Sequence, residues 1–147
     1  KLKYVTDKNV YSVLSQLGYQ VEKRSKLDGD HEAYIDGNVV LLDKTLGFRA
    51  QNFSLAHEIG HIVRKSHAEA ARDPHSFKTR TAEEQICDYY AAALLLPLEE
   101  MVQKMDACEY DSLSKRERMK FVKDVAEEKD VYEEVVLRRI GEVKVLR

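Results

Sequence analysis

Asn52-Phe53-Ser54-Leu55-Ala56-His57-Glu58-Ile59-Gly60-His61-Ile62-Val63 is the stretch on which the reading of this chain turns. Leu55, Ile59, Ile62 and Val63 recur at helical spacing, which predicts a helix with Asn52 or Ser54 as its N-cap. Residues four apart on a helix lie one turn above each other, so His57 and His61 offer both imidazoles to a single metal ion. Glu58 is their neighbour, placed to face a water held there. The apolar side of the helix docks on a core, which turns the histidines toward a cleft or solvent. Gly60 in mid-helix costs about 1 kcal/mol relative to Ala and suggests close packing beside the histidines. The competing reading, two histidines on a solvated face, leaves that spacing without a reason.

A catalytic zinc takes three protein ligands and keeps one position open, so a third ligand has to be found. Thr81 caps a further helix that runs through Ile86, Tyr90, Ala93 and Leu94 to Pro97. It offers Glu84, with Asp88 one turn later; Glu84 is placed to bind the ion while Asp88 holds a histidine N–H from behind. Ala91 and Ala92 are small enough for the two helices to approach closely. Alternatives stay open at this point: Glu83 or Asp88 as ligand, or all three acids simply solvating an exposed face. His67 falls where a metzincin would carry its third histidine, but that class needs Gly for the turn where this chain has Arg64. His31 and His75 have no spacing argument and read as surface residues. Cys87 reads as a buried, apolar-like side chain. Tyr89, Tyr90 and His67 are candidates for an oxyanion or substrate contact. A closed structural zinc site would need a fourth Cys or His at suitable spacing, and none is present.

Around this pair of helices the pattern reads as one α+β domain over residues 1–147. Asp7 opens a helix through Val10, Val13, Leu14 and Leu17 that Gly18 stops, and Tyr19 and Val21 begin a strand. His31–Asp36 and Val39–Asp43 flank Asp36-Gly37-Asn38, a hairpin signal, so a small antiparallel sheet is expected, with an edge able to receive an extended peptide. Arg64 to Arg80, with Asp73-Pro74, reads as a loop. Pro97 opens a helix through Met105. Ser112 or Ser114 opens a charged helix with Met119, Val122 and Val125. A last helix carries Val135, Val136 and Ile140 before Gly141, and Glu142–Leu146 reads as a short strand.

Of the 147 residues, 24 are Lys or Arg and 26 Asp or Glu, a net charge of −2 that does not suit a polyanion-binding surface. Arg138, Arg139 and Lys144 are opposed by Glu133, Glu134 and Glu142, so the last helix reads as structural and direct nucleic-acid binding is not expected. Cys87 and Cys108 cannot form a disulfide framework and fit a reducing compartment. No apolar run is long enough for a membrane span and no secretory h-region is visible, so the cytoplasm is the expected location. Lys1 stands where a start Met would, which leaves a trimmed leader open.

Phe53 to His61 is similar to the F-T-L-A-H-E-L-G-H signature of the ImmA/IrrE metallopeptidases. Glu84 to Pro97 resembles that family's E-x-x-A-N-x-F-A-A-x-L-L-M-P segment, and Val125-Ala126 with Val131–Ile140 more weakly resembles its helix-turn-helix-like tail. The resemblance implies a small antiparallel sheet packed on a zincin-like helical bundle over 1–110, with a helical tail over 111–147. It implies a gluzincin-like centre, with His57, His61 and Glu84 on zinc and Glu58 as base. It further implies a zinc-dependent endopeptidase with a narrow protein substrate, a helix-turn-helix repressor whose cleavage derepresses a mobile element or stress regulon. Asp88 stands where the family has Asn, Tyr90 where it has Phe and Cys87 where it has Ala. The alternative is a non-proteolytic module of the same fold that docks on a transcription regulator or DNA. Glu58 weighs against it, because a pure binder has no need of a base beside a metal.

Overall fold

The computed structural model describes residues 9–25, 27, 31–64 and 82–146. The expected helix start at Asp7, the Arg64–Arg80 loop beyond Arg64 itself, and the cap at Thr81 lie outside the described residues.

Helix α1 (Asn9–Gln16) buries Val10, Val13 and Leu14 and ends at Gly18, whose φ of 88° only glycine adopts without strain. The chain then enters β1 (Gln20–Arg24). β2 (Ala33–Asp36) and β3 (Val39–Asp43) form the expected hairpin, with Gly37 at φ 63° in its turn. The three strands lie in the order β1-β3-β2. β1 runs parallel to β3, with Gln20 opposite Val39 and Arg24 opposite Asp43, so the sheet is mixed and not wholly antiparallel as the sequence suggested. Side-chain alternation does not encode strand direction; the crossover before β2 carries the chain past β3 and reverses it. Central β3 buries Val40, Leu41 and Leu42 in succession, as a strand covered on both faces does.

Helix α2 (Phe48–Arg64) starts ahead of the expected cap. Asn52 and Ser54 are interior, buried positions, so neither is an N-cap. Their side chains bind other elements: Asn52 Nδ2 donates to Asp130 O at 3.0 Å and Ser54 Oγ to Glu32 Oε1 at 2.7 Å. Helix α3 (Ala82–Leu95) packs along α2, and Pro97 caps α4 (Leu98–Ala107). A 3₁₀ turn (Tyr110–Ser112) leads to α5 (Lys115–Lys129), capped by Ser114. After Asp130 in the left-handed region, α6 (Glu133–Leu146) closes the chain. α6 continues through Gly141, so the strand expected at Glu142–Leu146 is helical; Val136, Ile140 and Val143 keep helical spacing and are buried.

The core is continuous, from Val10 and Leu14 through Ile35, Val40 and Leu42 to Leu55, Ile59, Leu95, Met101, Val122, Val136 and Val143. This is an α+β fold with a helical C-terminal part. Among the described residues no helix is long and apolar enough to cross a membrane.

Candidate metal centre

Two helices carry the chemistry-bearing side chains, and their spacing is set by small residues. A Cβ on Gly60 would stand 3.3 Å from both Cα and Cβ of Cys87, so α2 approaches α3 more closely there than a side chain comfortably allows. Ala91 and Ala92, both fully buried, continue the small surface of α3. The close approach expected from Gly60 is therefore present, and it lies beside the histidines.

At this separation His57, His61 and Glu84 converge. His57 Nε2 is 2.8 Å from Glu84 Oε1, His61 Nε2 is 3.1 Å from Glu84 Oε2, and the two Nε2 atoms are 3.2 Å apart. His57 Nδ1 lies 2.8 Å from Asp88 Oδ1 on its other side. With the imidazole proton on Nδ1 and donated to Asp88, Nε2 presents a lone pair to the centre. The second imidazole nitrogen and two carboxylate oxygens then face the same point, an arrangement of acceptors that a cation satisfies. A tetrahedral zinc with bonds of about 2.0–2.1 Å has donor–donor edges of about 3.3 Å. The observed spacings are near that value, and the donor set of two imidazoles and one carboxylate suits zinc. When the Nε2 atoms carry protons instead, hydrogen bonds from His57 and then His61 hold the Glu84 carboxyl well below the usual carboxylate range.

Glu58 lies on α2 between these histidines in sequence but has a different environment. It is 7% exposed, and among the described residues Oε1 has no hydrogen-bond partner. Burial pushes its carboxyl up to about 7, while the nearby His57 and His61 pull the other way. A buried carboxyl oxygen without a partner is costly for folding, and beside a cluster able to hold a metal such a group is a candidate proton acceptor.

The other candidates separate. Tyr89 is exposed and lies under the Arg139 guanidinium, 5.9 Å from its ring centroid; Tyr90 is half-buried against the core. Neither hydrogen-bonds to His57, Glu58, His61 or Glu84. His67 and His75 lie outside the described residues. His31 is half-buried, its ring edge-on to Tyr34, and is not the surface residue the sequence suggested. Cys87 is fully buried, and burial together with Glu83 and Glu84 pushes its thiol up to about 12.

One pair was not singled out from the sequence. Arg64, the last residue of α2, donates from Nε and Nη2 to both oxygens of Glu83, at 2.9–3.1 Å. The available signal was opposite charge at two positions flanking the donor cluster, Arg64 one turn after His61 and Glu83 next to Glu84. In the last helix, Arg139 is buried and donates to Leu96 O at 2.8 Å, while Lys144 lies 3.5 Å from Asp111.

A peptidase family model described as the IrrE N-terminal-like domain matches residues 15–140, from within α1 to within α6. The chain belongs to that family. No protein of curated function and no solved structure matches it. The IrrE-like match takes in the sheet, both helices of the cluster and most of the C-terminal helix pair, well beyond the segments whose sequence resemblance is evident by eye.

Proposed function

We propose that this IrrE-like chain is a zinc-dependent endopeptidase acting on a protein substrate. The observation that carries the reading is a buried Glu58 carboxyl, one oxygen of which has no partner among the described residues, beside three side chains able to hold one metal ion. In this reading His57, His61 and Glu84 hold the zinc and Asp88 orients His57 through Nδ1. Zinc at such a centre supplies a Lewis acid that polarises a peptide carbonyl and makes water a nucleophile at neutral pH.

The chain's own part is proton movement and orientation. Glu58 accepts a proton from the attacking water and passes it to the amide nitrogen of the departing segment. A carboxyl whose affinity for protons lies near neutrality suits both halves of that transfer. The burial that raises its pKa also keeps bulk water from competing for the proton. β2 is an edge strand next to α2, the position at which an extended peptide would add as a further strand.

Family resemblance supports a narrow substrate, a helix-turn-helix repressor cut in the cytoplasm to release a mobile element or stress regulon. The engagement of Arg139 with Leu96 and of Lys144 with Asp111 weighs against the last helix as a nucleic-acid face. Co-expression with the helix-turn-helix regulator encoded beside it, comparing wild type with Glu58→Gln, tests the reading. A regulator fragment seen only with wild type is the expected result. An intact regulator in the presence of wild-type protein carrying about one zinc per chain would overturn the substrate assignment.

A further inference from the structure

His61 stands in two sets of donors. One is the centre of His57, His61 and Glu84; the other joins His61 to Glu83 and Cys87, with one ligand atom of each within 4.8 Å of the other two. The thiol of the second set is this chain's own, since the IrrE-like pattern has Ala where Cys87 stands. It is held firmly. Cys87 is fully buried, His61 is 2% exposed, and a Cβ on Gly60 would stand 3.4 Å from the Cys87 sulfur.

Cys87 Sγ donates its proton to Glu83 Oε2 across 3.7 Å. A tetrahedral ion with sulfur at about 2.3 Å and oxygen at about 2.1 Å has an S···O edge of about 3.6 Å. An ion can therefore replace the thiol proton between the same two atoms with little movement of either. The fork from Arg64 to Glu83 need not open, because the three donors are already assembled with that fork in place. Glu83, its side chain 29% exposed, is the side of the set that solvent reaches. Thiolate, imidazole and carboxylate form a softer set than two imidazoles and a carboxylate, so a soft divalent cation gains most from the exchange. Two divalent ions sharing His61 would repel each other strongly, so filling one set empties the other.

We propose that His61, Glu83 and Cys87 form a second metal site, for a soft divalent cation, whose filling withdraws His61 from the first. On capture the Cys87 sulfur bonds the ion, the thiol proton leaves to solvent, and no electron is transferred. The inference rests on the metal-centre reading above and adds a brake to it: a soft cation switches the proposed peptidase off by expelling its zinc.

Cadmium(II) added to the zinc-loaded protein tests it, because a cadmium–thiolate bond gives an ultraviolet charge-transfer band that imidazole and carboxylate ligands lack. Wild type is expected to develop that band and to lose zinc in step with it, read by metal analysis after desalting. Cys87→Ala is expected to lose the band and to need at least about tenfold more cadmium to release the same zinc. Cys108→Ala is expected to behave as wild type. Glu84→Ala, which disables only the first set, is expected to bind less zinc and to keep the cadmium band. Folded wild type without the band, a band that survives Cys87→Ala, or a full band with all the zinc retained would overturn the proposal. A Cys87-dependent band in a wild type that holds no zinc, or that holds no more than Glu84→Ala, would leave the second site standing and sink the metal-centre reading.

Discussion

Helices α2 and α5 are of similar length, 17 and 15 residues, yet they are built on opposite terms. α5 obeys local rules. Ser114 Oγ accepts from the Glu117 backbone N–H at 3.2 Å, and the Glu117 carboxylate accepts from the Ser114 N–H at 2.9 Å, a complete capping box. Its buried face includes Val122, Val125 and Ala126, and most of its charges are in solvent. α2 has no acidic residue in its first turn, carries Gly60 in its interior, four residues before its end, and buries Gln51, Asn52, Ser54, Glu58 and His61. A helix that gives up so much local stability is held by its neighbours, and Glu58, Gly60 and His61 break the rules beside the donor cluster while Asn52 and Ser54 break them to bind other elements. The difference marks α2 as the element shaped by chemistry and α5 as the element shaped by folding.

The largest effect should come from breaking α2 where it is most costly. Glu58→Gln is expected to retain zinc and lose about 10³-fold or more in peptidase rate, read by metal analysis alongside a cleavage assay. The same variant should fold better without metal. The Glu58 carboxyl is raised from an ordinary 4.5 to about 7 by folding, so the folded chain holds its proton where the unfolded chain has released it. Stability from this group is therefore full below pH 4.5 and is lost as pH rises toward 7. Metal-free Glu58→Gln lacks that loss. Its advantage over metal-free wild type in urea unfolding should grow across this window to a few kcal/mol, on the order of 2–3. A constant difference between pH 4 and 8 would mean that Glu58 is not desolvated.

Next in size is the contact that sets the helix spacing. Gly60→Val places two methyl groups where Cys87 backbone and side-chain atoms stand at 3.3–3.4 Å, and should lower stability by about 2–3 kcal/mol and weaken zinc binding with it. Equal losses at Gly141, where an added Cβ meets nothing within 4 Å, would erase the distinction between the two glycines.

How much of this could be read in advance follows the same division. The hairpin was legible because Asp36-Gly37 specifies its own turn, and the capped start at Ser114 because capping is a local rule. The pairing of His57 with His61 was legible because helical periodicity fixes which residues share a face; Glu84 stands on another helix, where spacing left Glu83 and Asp88 open beside it, and the family resemblance singled it out. What escaped was nonlocal. β1 lies parallel to β3 because of a crossover, not because of its residues. Asn52 and Ser54 have cap chemistry but use it on Asp130 and Glu32, partners far away in sequence. Gly141 reads as a stop, yet α6 continues because Val143 has a buried place to go. The Arg64–Glu83 fork joins the end of one helix to the start of another, across residues 65–81.

Asn52 tests the nonlocal side directly. Its buried amide ties α2 to the turn between α5 and α6, and Asn52→Ala should cost about 1–2 kcal/mol by leaving the Asp130 carbonyl short of a donor. A true N-cap at Asn52 would instead loosen the first turn of α2 and leave α6 untouched, so hydrogen exchange at α6 amides separates the two. Faster exchange there is the expected result.

The smallest effect belongs to α5, and its sign is the reverse of that at Glu58. Ser114→Ala should cost about 1 kcal/mol and leave zinc content and cleavage unchanged, because the cap touches nothing in the donor cluster. The Glu117 carboxyl is held below its ordinary value by hydrogen bonds from Ser114, so its contribution is present above the unfolded carboxylate range and is lost as pH falls through the folded value. Glu58 weakens the metal-free fold as pH rises, whereas Glu117 weakens it as pH falls. Acidification from pH 6 to 3 should therefore narrow the stability gap between wild type and Glu117→Gln, as the Glu58→Gln advantage also shrinks for the opposite reason. Thermal melts of the two variants over that range separate a carboxylate stabilised by its helix from one that its helix buries at a cost.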